Sequence, residues 1–159
     1  MMFPRLNLPP AQLRLREAST SQGRPSVLCL SRRRYVALTP EEWVRQNFIS
    51  YMVCTLGYPQ GLVAAEAPVD VNGLRQRADI VAYSRLMTPL VIVECKAPEV
   101  TLSQATLNQA CRYLSSLGSV AVVLTNGINH YCVAVGSGGT PEFLDHVPAW
   151  AEVNAMPAK

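Results

Sequence analysis

The chain of 159 residues is poor in several residue types, and each shortage narrows what it can be. It has two lysines, Lys96 and Lys159, against twelve arginines, and two histidines, His130 and His146. No apolar run approaches the roughly 18 residues of a membrane-spanning helix. Arg5 and the early prolines leave no room for the apolar segment of a secretory leader, so a cytoplasmic protein is expected. The five cysteines (29, 54, 95, 111 and 132) are odd in number and never spaced Cys-x-x-Cys. Neither histidine stands at ligand spacing from one, which argues against a zinc site and for reduced, buried thiols. No Gly-x-x-x-x-Gly-Lys-[Ser/Thr] segment occurs, so the chain carries no P-loop motor signature. Internal repeats are absent too. What remains is an ordered globular composition, 49% hydrophobic and 16% charged. That is enough for one domain with a core that needs no metal or disulfide staples.

Charge is unevenly spread. Residues 1–34 hold seven arginines (5, 14, 16, 24, 32, 33 and 34) and one acid, Glu17, for +6, leaving −3 on the rest of a chain whose net charge is +3. A basic leading segment beside an acidic body suits a phosphate-backbone partner. It equally suits a solvated arm, and both readings stay open. Four prolines in the first 25 residues predict an extended arm with little regular structure. Val27–Ser31 reads as an edge strand or a lead-in to Tyr35–Leu38. Thr39, Pro40 and Glu42 then form a helix start with a capping box, and the helix runs over Pro40–Leu56 to Gly57. Strands are expected over Leu62–Val71 and Leu74–Tyr83, joined by an Asn72-Gly73 hairpin turn, and over Leu90–Cys95. A helix over Gln104–Leu117, capped by Thr101 or Ser103, is followed by strands Ser119–Leu124 and Ile128–Val135. The pattern is α-β-β-β-α-β-β. It divides into a basic arm or lead-in at 1–34, a core at 35–136 and a short tail at 137–159 after the Gly136-Ser137-Gly138-Gly139 break.

The chemistry concentrates at the end of the third strand, Leu90-Val-Ile-Val-Glu-Cys-Lys-Ala-Pro98. Residues i and i+2 share a strand face, so Glu94 and Lys96 lie side by side while Cys95 points away. Charges ending an apolar strand are costly unless paired or bound to metal. Asp79 on the preceding strand can converge on them. Two carboxylates and a lysine suit a hard divalent cation such as Mg²⁺ next to a phosphate. The plain alternatives are a Glu94–Lys96 pair and an Asp79–Arg77 surface pair. Lys96 is the one lysine within the body of the chain, where arginine's planar fork would not replace a compact ammonium.

The Asp-x₁₄-Glu-x-Lys arrangement resembles the PD-(D/E)xK nuclease superfamily. With Tyr35–Gln46, Gly57-Tyr58-Pro59, Glu94–Pro98, Gln109-x₃-Tyr113 and Thr125-Asn126-Gly127, the chain looks like small proteins related to the N-terminal nuclease region of type I restriction enzyme R (motor) subunits. The resemblance runs from about Leu8 to about Val135. It implies an α/β (α+β), restriction-endonuclease-like αβββαβ core, with a mixed central sheet flanked by helices. It further implies an Mg²⁺- or Mn²⁺-dependent nuclease acting on DNA. Asp79, Glu94 and the Cys95 backbone carbonyl would hold the metal, with Lys96 beside the scissile phosphate. A helix acid would reach towards the metal, Glu42 in preference to Glu41. Gln109 and Tyr113 would orient Lys96 and the DNA backbone. From the charge distribution, the basic leading segment with Arg32, Arg33 and Arg34 would add phosphate contacts. As partners, the resemblance allows DNA, a separate motor or restriction subunit and a second copy of the chain, with no membrane. Cys29 departs from the pattern where many relatives carry an aspartate. Thr125-Asn126-Gly127 reads as a turn. The rival reading is a non-catalytic nucleic-acid-binding or assembly module that keeps the fold.

Overall fold

The structure, a computed structural model, describes residues 3–136 and 138–156. Ser137 of the expected glycine-rich break and the end of the expected tail lie outside the described residues. Thr39 caps helix α1 (Pro40–Cys54), its Oγ1 accepting the Glu42 backbone N–H at 3.1 Å, with Pro40 in the first turn. A short 3₁₀ turn leads into β4 (Val63–Val71), and Asn72 and Gly73, both at positive φ, turn the chain into β5 (Leu74–Tyr83). Then come β6 (Pro89–Cys95), α2 (Gln104–Ser116, capped by Ser103), β7 (Ala121–Thr125) and β8 (His130–Val135).

Strands β4 to β9 (β9, Pro141–Leu144) form one six-stranded sheet in sequence order. Only β6 and β7 are parallel, and a parallel pair needs a crossover, which α2 supplies. The sheet is therefore mixed, and the helices lie on opposite faces. Val44, Phe48 and Met52 of α1 pack on Ile80, Val91, Val93 and Val123. Leu107, Ala110, Tyr113 and Leu114 of α2 pack on Val69, Val81, Ile92 and Val122. Burial on both faces explains why β6 and β7 read as unbroken apolar runs. The α/β class and the expected element order hold.

Both ends of the chain depart from expectation. The leading segment is no loose arm: β1 (Leu15–Arg16), β2 (Ser26–Cys29) and β3 (Arg34–Ala37) make an antiparallel sheet of their own. The expected boundary after residue 34 cuts through β3. Ahead of it, Leu6 is buried, the Asn7 N–H donates to the Gly127 carbonyl at 2.8 Å, and Phe3 stacks on Trp43. The tail is also part of the fold. β9 pairs with β8, Val147 and α3 (Trp150–Ala155) cover the α1 side of the core, and the Tyr58 hydroxyl donates to the Pro148 carbonyl at 2.8 Å. These contacts come from single, widely spaced apolar residues, which produce no periodicity to read.

Candidate active site

Three acids line up across three strands. The β5–β6 ladder ends at Ile80↔Val93, so Asp79 faces Glu94 one step beyond the last pair. In the β4–β5 ladder the pairs Ala65↔Ile80 and Ala67↔Ala78 are formed and the Glu66/Asp79 step between them is skipped. Glu66 adopts φ +53°, a left-handed conformation that costs a non-glycine residue about 1 kcal/mol or more. The kink reverses the alternation of faces. Val63 and Ile80 pack on the α1 side, whereas Ala67, Val69 and Ala78 pack on the α2 side. Beyond the kink β5 and β6 no longer pair, and the Asp79 side chain fills the gap. Its Oδ2 accepts the Cys95 backbone N–H at 2.8 Å, replacing a lost ladder bond.

A buried arginine grips this cluster from α1. Arg45 is 5% exposed. Its Nη2 lies 2.7 Å from Asp79 Oδ1, 2.9 Å from Glu66 Oε1 and 3.2 Å from Glu41 Oε1, and its Nη1 lies 2.8 Å from Glu42 Oε1. Burial opposes its charge, but the bond to Asp79 and the charges of Asp79 and Glu42 outweigh burial and raise its pKa. Glu42 is itself held by Arg32 Nη2 at 2.7 Å and Gln46 Nε2 at 3.2 Å.

Glu94 faces Tyr113 of α2. Burial first, and then the charge of Asp79, push its carboxyl up to about 8, against smaller downward pulls from Tyr113 and Lys96. Its Oε1 is buried and finds no hydrogen-bond partner among the described residues. Tyr113 is buried against Glu94, and burial together with that carboxylate raises its pKa. The Lys96 backbone N–H donates to the Thr125 carbonyl at 2.8 Å. Among the described residues no ion pair joins Lys96 to Glu94, or Asp79 to Arg77. Lys96 bears electrostatically on both Glu94 and Glu41. Gln109 is exposed one turn before Tyr113 on α2. Thr125, Asn126 and Gly127 form the expected turn, with Asn126 Oδ1 accepting the N–H groups of Ile128 and Asn129.

Two expected roles are corrected by position. Glu42 does not complete a capping box: its Oε1 accepts from Arg32 and Arg45 and its Oε2 from Gln46, which turns it towards the arginines. Of the two helix acids, Glu41 bears electrostatically on Asp79: burial and Asp79 raise its pKa, and Arg45 and Lys96 lower it. Arg32 is not free for phosphate, since its Nη2 bonds Glu42 and its Nε donates to Cys29 Sγ at 3.2 Å. Arg33 and Arg34 remain exposed. Arg45 and Glu66 were missed in the sequence. Their signals are a Glu-Glu-x-x-Arg run on a helix and one charge in the run Val63-Ala-Ala-Glu-Ala-Pro-Val69.

A divalent cation suits this donor set in one respect: the partnerless Glu94 oxygen beside a second carboxylate is what such a cation would satisfy. Among the described residues no three His, Cys, Asp or Glu side chains form a self-sufficient metal cluster. Mg²⁺ does not require one, since it binds through one or two carboxylates and keeps waters.

The sequence family described as type I restriction enzyme R protein N terminus matches residues 40–148, well over half of the chain. No curated protein matches it. A structure described as a fragment of a candidate HsdR subunit of a type I restriction enzyme from Vibrio vulnificus YJ016 aligns at 19% identity with a TM-score of 0.47. The alignment covers 69% of this chain and 24% of the other, so this chain spans about a quarter of that length. A candidate nuclease belonging to DUF820 from Anabaena variabilis ATCC 29413 aligns at 12% identity with a TM-score of 0.48, over 77% of this chain and 81% of the other.

Proposed function

The chain belongs to the family of the type I restriction enzyme R protein N terminus, and on that premise we propose that it hydrolyses phosphodiester bonds in DNA with Mg²⁺ or Mn²⁺. The observation that carries the reading is the facing of Asp79 and Glu94 past the end of the β5–β6 ladder, with the buried Glu94 Oε1 finding no partner among the described residues and Lys96 close enough to bear electrostatically on Glu94. Asp79, Glu94 and the Cys95 carbonyl would hold the cation. When bound, a divalent cation supplies Lewis-acid charge on the phosphate and a more acidic water. The Lys96 ammonium offers compact positive charge where negative charge develops on the phosphate. Tyr113 buttresses the Glu94 carboxylate from α2. Gln109, exposed a turn away, is available to the DNA backbone, as are Arg33 and Arg34. A motor or restriction subunit is the proposed protein partner and would supply translocation.

The test is cleavage of supercoiled, linear and single-stranded DNA with Mn²⁺ or Mg²⁺, wild type beside Lys96→Ala. Metal-dependent cutting by wild type only, with DNA binding retained in both proteins, is expected. Equal loss of cutting and binding in Lys96→Ala would count against its catalytic role. No cutting by either protein would favour a binding or assembly module that keeps the fold.

A further inference from the structure

Buried ion pairs seldom stabilise a fold more than apolar residues of the same size would. Arg45 is therefore an odd choice for the inner side of α1, where Val44 and Phe48 pack. Its geometry suggests another purpose. The guanidinium is clamped on one edge by Glu42 at 2.8 Å, and Glu42 is anchored in turn by Arg32 and Gln46. The other edge meets Asp79 at 2.7 Å and Glu66 at 2.9 Å. Glu66 reaches it through a strained φ of +53° in mid-strand. The same kink reverses the sheet face at which Asp79 stands. Helix, strand and backbone distortion converge on one carboxylate.

We propose that Arg45 is a positioning residue: it holds Asp79 Oδ1 so that Oδ2 stays on the Cys95 N–H and the carboxylate faces Glu94 in one fixed orientation. The inference rests on the reading of Asp79 and Glu94 as the cation-holding pair. Two carboxylates that turn independently make a loose ligand set; one pinned at both oxygens makes a preorganised one. The guanidinium is suited to this because its planar fork can touch Glu42 and Asp79 at once. A lysine ammonium, at a single point, cannot span both with the same geometry.

The test uses the full chain, with Arg45→Met combined with Glu66→Gln so that one positive and one negative charge leave together while the Arg32–Glu42 pair remains. Arg45→Lys, which keeps the charge, is the second variant. Amide hydrogen exchange reads the positioning directly. The Cys95 N–H, bonded to Asp79, should exchange about tenfold faster in both variants. The Lys96 N–H, bonded to the Thr125 carbonyl on the other side of β6, should stay close to wild type. Mn²⁺ affinity, followed by titration, should fall about tenfold to a hundredfold. Unchanged Cys95 exchange in the double variant would overturn the proposal, and so would full restoration of protection and Mn²⁺ affinity by lysine, since charge would then suffice. Absence of Mn²⁺ binding by wild type would instead overturn the reading of the site, leaving the exchange result to judge the role of Arg45.

Discussion

Glu94→Gln should make the metal-free protein more stable, not less, and the gain should grow with pH. The wild-type carboxyl is pushed from its ordinary 4.5 up to about 8, chiefly by burial and then by the charge of Asp79. A carboxyl whose pKa is higher in the folded state binds its proton more tightly there. Its contribution is therefore fully favourable below about pH 4.5 and is lost as pH rises towards 8. In that window the folded state must either retain a proton that the unfolded chain has released or bury a charge beside Asp79. At about 1.4 kcal/mol per unit, the full shift sets a ceiling of about 5 kcal/mol above pH 8. Partial solvent access around Glu94 leaves about 2–4 kcal/mol as the working expectation. That is a large fraction of the ~5–15 kcal/mol stability of an ordinary domain.

Glutamine keeps the shape and cannot ionise, and its amide N–H₂ can donate to Asp79. Urea unfolding in the presence of a chelator, at pH values from 5 to 9, should show wild type losing stability across the window. The variant should lose less, and the two curves should diverge upward in pH. Mn²⁺ should then stabilise wild type more than the variant, because the variant has lost one of the two carboxylate charges that would hold it. Parallel curves from pH 5 to 9, or a variant less stable than wild type at pH 9, would refute the argument that Glu94 is held in the fold at an electrostatic cost.

Other expectations follow from contacts elsewhere. Arg32→Ala should cost about 2 kcal/mol in chemical denaturation, because it removes one charge-assisted bond from the buried Glu42; the exposed Arg33→Ala should change stability by no more than ~0.5 kcal/mol. If both instead weaken DNA binding equally with no loss of stability, Arg32 is not the internal residue described. Gly127→Ala should lower the melting temperature by several degrees. Gly127 sits at φ +84°, and a Cβ there would lie 2.8 Å from a Leu6 methyl and 3.2 Å from a Val44 methyl; an unchanged melting temperature would show that the leading segment is not docked. Gln109→Ala should leave unfolding untouched, since the residue is exposed, and should raise the KM for DNA; a purely solvated glutamine would change neither.

Which parts of the site could be read from the sequence depends on the range of the forces involved. The cap at Thr39 and Pro40 and the Asn72-Gly73 turn are local, and they appear in the structure as read. The meeting of Asp79 and Glu94 needed only adjacent strands in register. The grip on Asp79 is different. In the sequence, Glu41 and Glu42 stand four and three residues before Arg45, the ordinary spacing of an exposed helical ion pair worth a few tenths of a kcal/mol. Nothing local says that this arginine points inward, because its inward direction is set by partners 21 and 34 residues further on, Glu66 and Asp79. The misplaced role of Glu42 has the same origin. A glutamate at the third helical position completes a capping box unless a stronger partner is near, and here Arg32 and Arg45 compete with a single backbone N–H. Two arginines and Gln46 together offer Glu42 three donors, two of them cationic, against that one N–H, so the side chain turns inward and the box stays half made. The left-handed Glu66 is the one local irregularity tied to this arrangement, and a strand-forming context of alanines and valines conceals it. The residues that grip Asp79 are thus placed by distant partners, while Asp79 and Glu94 themselves are brought together by the register of adjacent strands.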